Sequence, residues 1–302
     1  MRNLRVVLPL VLVIIACSAL GFSFQHVLCQ GARAVRSQGL RGGTGPIEVV
    51  LECEVPKLPS EAPRLEVIPD PLPLEVWISL AEDVFNMTDI EVKYVELHRG
   101  TEIWLVGKHH GNPSVLQVGH GGYFIWSYSA EGHAYKEAAP PEEVKHIADA
   151  LFSRVVDYGV APSNLEFKFI GVYDSHISKG PWGTVITERT AVYRIIYGDY
   201  RFCRGVEVCV GADGVSAMFV PWRFVRENGT VRIQVSLEEA MRRLADKPIS
   251  SDVVKIIIHD VELGYANFFG EHEFLPPAYI FDVTLVFEDG GTKETVLWVL
   301  AT

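Results

Sequence analysis

GKHHGNPSVLQVGHGG, residues 107–122, places three histidines within twelve positions. If they converge on one ion, the segment is a metal-binding loop and the chain reads as an enzyme. If they mark turns, the segment is a β-meander and the chain reads as a sheet protein. Apolar–polar alternation over 102–107 and 114–118 predicts a strand before His109-His110 and another before His120. Successive turns of a meander lie at opposite ends of the strand they share, roughly 15–20 Å apart at ~3.3 Å per residue. Zinc needs its ligand nitrogens at about 2.1 Å, so these histidines cannot share an ion on this reading. His109 and His110 are also adjacent, and neighbours on an extended chain point to opposite sides. The stretch therefore reads as a meander, and no metal ligand is assigned.

The same patterning extends outward. Strands are predicted at 91–97, 102–107, 114–118, 123–128, 165–173, 184–197, 206–210, 215–220, 253–263, 278–287 and 292–299. GADG (211–214) and EDGG (288–291) supply hairpin turns, because Gly and Asp tolerate positive φ. Three helices are predicted. The first covers 74–85. The second, 141–158, opens with prolines and Glu142-Glu143 and stops at Gly159. The third, 237–244, starts from a capping box of Ser236 and Glu239. The order is helix then meander, three times. It predicts an α+β fold of antiparallel sheets with amphipathic helices packed on one face, in repeated helix-plus-meander units. The units are 60–138, 139–235 and 236–302, preceded by an anchor or signal segment at 1–29 and a Gly/Arg-rich, then Pro-rich, linker at 30–59.

The chain has 302 residues, 48% of them apolar, enough for a sizeable core. Residues 1–46 hold five arginines (Arg2, Arg5, Arg33, Arg36, Arg41) and no acid; the remaining 256 carry 22 basic against 38 acidic groups, a formal charge of −16. So acidic a body repels phosphate backbones, and no nucleic-acid partner is expected. Val6–Phe24 runs without a charge behind MRNLR, and nineteen helical residues reach roughly 28 Å, close to a bilayer core. Three fates are open: a retained signal anchor, cleavage after a small-residue site, or lipidation of Cys17 in IIAC, which has the look of a lipobox. Each places residues 47–302 outside the cytoplasm, anchored to the cell membrane or secreted. Residues 55–73 hold six prolines and read as an extended arm.

Cys29, Cys53, Cys203 and Cys209 remain after Cys17. Cys203 and Cys209 are disulfide candidates if the chain reverses at Arg204-Gly205; buried free thiols are the alternative. Asn86 and Asn228 head N-glycosylation sequons. No GxSxG, HExxH, P-loop or strand-borne GxGxxG occurs, so no catalytic residue and no cofactor is assigned. His259-Asp260 lies inside a strand, where neighbours face opposite sides. Glu271-His272-Glu273 reads as a polar loop, and Trp104, Trp126, Trp182, Trp222 and Trp298 as core or sheet-face residues.

AVYRIIYGDYRFCRGVEVCVGADGVSAMFVPWRF (191–224) and VSLEEAMRRLADKP…VVKIIIHDVELGY…LPPAYIFDV (235–283) resemble YycI/YycH-like regulatory proteins and PepSY-like domains. LEVWISLAEDVFNM (74–87) and GGYFIWSY (121–128) resemble the N-terminal part of the same group. The resemblance covers roughly 60–302, and its motifs describe a scaffold. It implies a non-enzymatic, extracytoplasmic, membrane-tethered regulatory module that binds a membrane or secreted protein, such as a sensor kinase or a secreted protease. The acidic balance, the cysteines and the lipobox-like stretch depart from that pattern. Two alternatives stand beside it: a secreted metal-dependent hydrolase built on the His-rich hairpin and Glu271-His272-Glu273, and a structural surface lipoprotein.

Overall fold

The computed structural model describes residues 47–97, 100–128, 136–180, 183–247, 249 and 252–302. The anchor, Cys17, Cys29, Trp182 and the first part of the linker lie outside them.

The chain begins with β1 (Glu48–Leu51), β2 (Glu61–Val67) and helix α1 (Leu74–Asp83). A meander follows: β3 (Met87–Leu97), β4 (Gly100–His109), β5 (Asn112–Val118) and β6 (Phe124–Tyr128). Helix α2 (Pro141–Val155) leads to the long hairpin β7 (Glu166–Gly180) and β8 (Gly183–Tyr197), then β9 (Tyr200–Phe202), β10 (Val206–Gly211), β11 (Gly214–Val220) and β12 (Val225–Arg232). After α3 (Leu237–Ala245) come β13 (Val253–Tyr265), β14 (Phe274–Leu275), β15 (Pro277–Phe287) and β16 (Thr292–Leu300).

The expected α+β class of repeated helix-plus-meander units is not what forms. Most described residues are strand, and thirteen strands join one continuous mixed sheet that crosses all three expected units, with three α-helices against it. Two pairings decide this. β1 pairs with β13 in parallel, Glu48 opposite Lys255, and β13 pairs with β9 in parallel, Gly264 opposite Arg201. Both join segments far apart in sequence, which local periodicity cannot reveal. A smaller sheet, β12-β2-β14, turns part of the expected proline arm into its central strand. Pro63 is tolerated there because β12 bulges between Glu227 and Thr230, opposite it.

The sheet forks. β9 and β10 are nearly one strand along β8, interrupted at Cys203–Gly205. β9 continues into β13, β15 and β16, with β1; β10 continues into β11, β6, β5, β4 and β3. Two glycines allow the close approach: a Cβ on Gly205 would stand 2.3 Å from the Tyr193 carbonyl oxygen, and one on Gly264 2.0 Å from that of Arg201.

The main core lies on one face of the sheet, and a smaller cluster of Cys203, Ala266, Ala278 and Ile280, with Phe268, Trp298 and Leu300, packs on the other face of the β15 arm. Helix α2 packs on β7, β8, β10 and β11, with Phe152 stacked on Tyr193 at 4.5 Å. Helix α1 places Trp77 edge-on to Phe124 at 5.9 Å, and Phe85 stacks on Trp126 at 4.7 Å. Helix α3 packs against β16 and β1. Its Ser236 hydroxyl accepts from the Glu239 amide at 3.2 Å, while the Glu239 carboxylate binds Arg242 and Arg243, so only half of the capping box forms.

Candidate functional site

The turns of residues 107–122 are the starting point. His109 pairs with Asn112, so His110-Gly111 is a two-residue hairpin turn, with φ of 49° and 82°. The second turn, Gly119–Gly122, needs three of its residues to be glycine. A Cβ on Gly119 would fall 1.9 Å from the Tyr123 ring. Gly121 and Gly122 have φ of 75° and 84°, and their added Cβ atoms would meet Val67 at 2.5 Å and Phe224 at 2.8 Å.

This second turn is pinned from behind. Arg223 is 1% exposed; its guanidinium donates to the His120 and Phe268 carbonyls and to that of Gly270 at 3.2 Å, and lies 4.0 Å over the Tyr123 ring. The Tyr123 hydroxyl donates to buried Glu102 at 2.5 Å, and the Trp104 indole donates to the other Glu102 oxygen at 3.0 Å. The loop carrying Glu271-His272-Glu273 is thereby held against the turn. The Glu271 carboxylate accepts from the Thr101 amide at 3.2 Å, beside side-chain-free Gly100, and the His120 ring stands 3.2 Å from the His272 carbonyl. Burial first, then Arg223, lowers the pKa of His272 below its ordinary value.

In front of the turn is a cleft of about 410 Å³. One wall is the end of the proline arm, Asp70–Leu74, with Asp70 at φ 44°; the floor is Trp77, Ile103 and Val118; the other wall is Gly119, His120 and Gly122. Pro71 and Pro73 have fixed φ, and Trp77 is 2% exposed, so these walls are set before anything binds. Asp70, Thr101 and His120 are its polar side chains. The cleft joins an apolar floor to a lining that is nearly half polar, so it offers both apolar contact and hydrogen-bonding groups, as a peptide segment does in turn.

The other sequence candidates are dispersed. His109 donates from Nδ1 to the Phe85 carbonyl at 2.7 Å, and its ring packs on Trp126 and Tyr128; burial pulls its pKa down. Seven-residue β5 separates His109 and His110 from His120, so the two halves of the alternative hydrolase site sit at opposite ends of that strand. Cys203 and Cys209 are free, buried thiols, the alternative weighed against a bridge between them. The chain does not reverse at Arg204-Gly205: Cys203 contacts Asn267 at 3.3 Å, and Cys209 contacts Thr190 at 3.4 Å further along the same line of strand. Asn86 is exposed, in left-handed conformation before β3; Asn228 is exposed and donates to Glu66 at 2.9 Å. His259 and Asp260 do not face opposite sides: a bulge between Ile258 and Asp260 turns both outward. Arg223 and Asn267 went unnoticed in the sequence. Arginine beside PW is its only local sign, because its partners lie more than 40 residues away.

Among the described residues no helix is long and apolar enough to cross a membrane. No family model matches the chain, and no curated protein matches it. Solved structures similar to it include an uncharacterized protein from Eubacterium rectale, 10% identical over 83% of this chain and 87% of that one, with a TM-score of 0.45. Another is the YpeB C-terminal domain of Bacillus megaterium, 12% identical over 76% of this chain and 98% of that one, with a TM-score of 0.35. With TM-scores below 0.5, neither likeness carries an argument here.

Proposed function

We propose that this chain is a non-enzymatic, extracytoplasmic, membrane-tethered interaction module that holds a segment of a membrane or secreted protein in the cleft beneath the proline arm. The cleft carries the reading: a preformed apolar floor of Trp77, Ile103 and Val118 between a proline wall and a glycine turn braced by Arg223. Such a site orders its occupant at little conformational cost to itself. The charge-free run Val6–Phe24 is the tether, which raises the local concentration of the cleft at the membrane. A sensor kinase or a secreted protease is the partner class that the sequence resemblance implies.

The test is site-specific photo-cross-linking in the full chain, in membranes. A photoreactive residue at Thr101, on the cleft rim, is expected to capture one protein. Capture is expected to vanish when Ile103→Arg fills the floor with charge. The same probe at Glu143, exposed on α2, is the control. Equal capture at Glu143, or capture at Thr101 that survives Ile103→Arg, would overturn the reading.

A further inference from the structure

β3 ends the large sheet: among the described residues it pairs with β4 and with no strand on its other side. Such an edge presents a row of unpaired amides and carbonyls, which proteins that stay monomeric blunt with proline, charge or a bulge. β3 has no proline and a single lysine, and its bulge lies near its beginning, between Thr88 and Glu91. From Glu91 to Leu97 the strand is regular. Tyr94 is 67% exposed, the most exposed large apolar side chain among the described residues.

The ladder fixes which groups face out. His109 and Asn112 flank a two-residue turn and bond each other, so β4 directs its odd-numbered residues to β5 and its even-numbered ones to β3. The even-numbered Glu102, Trp104 and Val106 pair with Val95, Lys93 and Glu91. Val92 and Tyr94 therefore turn their amides and carbonyls to the open edge. Their side chains share the face of Leu105 and Ile103, their partners on β4. Glu91 and Lys93 lie together on the other face, 3.2 Å apart.

The charges on this edge select a second copy of the same strand. Two identical antiparallel strands meet about a two-fold axis, which brings one residue opposite its own copy. An axis at Lys93 sets lysine against lysine, and one at Glu91 sets glutamate against glutamate, both destabilising. An axis at Tyr94 or Val95 brings no opposite charges together. An axis at Val92 sets Glu91 opposite the second copy's Lys93, twice, in the closely spaced pairs that do not share hydrogen bonds. It also sets Tyr94 opposite the second copy's Ile90, an aromatic against a branched side chain that already packs on the core.

We propose that the chain forms a two-fold dimer in which β3 pairs with β3 of a second copy about Val92. Two Glu91 and two Lys93 form a four-charge cluster on one face, and each Tyr94 covers an Ile90 on the other. The bulge ends the pairing at Ile90, so the interface is small and the dimer forms and dissociates readily. Tyr94 stands beside Ile103 on the cleft floor, so the row Val118–Ile103–Tyr94 continues into the second copy. Dimerisation stands or falls separately from what the cleft holds.

Sedimentation velocity of the full chain in detergent, from about 1 to 100 µM, tests it. The wild-type chain is expected to pass from monomer to dimer over that range. Glu91→Lys opposes lysines and Lys93→Glu opposes glutamates, and each is expected to weaken the dimer about tenfold. Both side chains reach the surface, and the ion pair they make with each other is a weak support for the fold. An equal mixture of the two variants is expected to recover the wild-type affinity as a heterodimer, because each chain then supplies the charge the other needs. A merely structural role of the ion pair within one chain would not be repaired by mixing. A wild-type chain that stays monomeric throughout, a dimer indifferent to both substitutions, as association through another surface would be, or a mixture no tighter than its components would overturn the proposal.

Discussion

The Asn267 side chain stands in for the missing ladder at Arg204. Its oxygen accepts from the Arg204 amide at 2.9 Å, and its nitrogen donates to the Arg204 carbonyl at 3.1 Å and to the Pro221 carbonyl at 3.1 Å. This one buried amide satisfies backbone groups on both sides of the point where the sheet divides.

Asn267→Ala is therefore expected to destabilise by about 3 kcal/mol, because it strands several buried backbone groups at once. Asn267→Asp is expected to be no better, since a carboxylate cannot donate to the two carbonyls. Chemical denaturation measures both, and a loss below about 1 kcal/mol for either would contradict this role.

Arg223→Lys is expected to cost about 3 kcal/mol, because one ammonium cannot reproduce a planar fork that meets three carbonyls. Amide exchange is expected to rise at residues 119–122 and 266–270 together, because the same guanidinium holds both. Exchange that rises in only one of them would uncouple the turn from the loop.

Gly121 and Gly229 have similar positive φ, 75° and 80°, but different surroundings. Ala at 229 meets open space and is expected to cost about 1 kcal/mol, the backbone term alone. Ala at 121 also meets Val67 at 2.5 Å and is expected to cost about 3 kcal/mol. Equal costs by thermal denaturation would show that the turn relaxes.

Glu207 sits on β10 between Val192 and Phe219, and burial raises its pKa to about 7 despite Arg204. The folded chain then holds a proton that the unfolded chain releases near pH 4.5, so stability falls as pH rises from 4.5 to 7 and stays low above. Part of the side chain still touches solvent, so the effect is put at about 1–3 kcal/mol. Glu207→Gln is expected to stabilise the protein by that amount at pH 8 and by nothing at pH 4. A gain of equal size at both would mean packing, not ionisation.

His109 titrates in the opposite sense. Its pKa is depressed by burial, so its contribution is present above pH 6.5 and lost as pH falls below it. His109→Gln is expected to flatten the acid side of the pH–stability curve; an unchanged slope would place the charge-sensitive group elsewhere.

Much of the local structure was legible in the sequence. The three helices and eleven of the strands were placed from periodicity, and GADG and EDGG make the expected hairpins between β10 and β11 and between β15 and β16. β1, β2, β9, β12 and β14 were missed because they are short, or carry Pro63 or Gly229, features that count against a strand until a partner strand supplies the hydrogen bonds. The His259–Asp260 bulge was invisible for the same reason, since a bulge belongs to a pair of strands and not to one.

The sequence by itself determined which segments extend, which coil and where they turn, because these depend on residues a few positions apart. It also showed that residues 107–122 make turns, through glycines and a two-residue periodicity. Only the tertiary structure decided that β1 and β9 lie alongside β13, that the sheet forks at Cys203–Gly205, and that Arg223 joins the Gly119–Gly122 turn to the loop beyond β13. Those contacts span as many as 207 residues, from Glu48 to Lys255. Their stability comes from burying apolar area and pairing backbone groups in three dimensions, which no local pattern records.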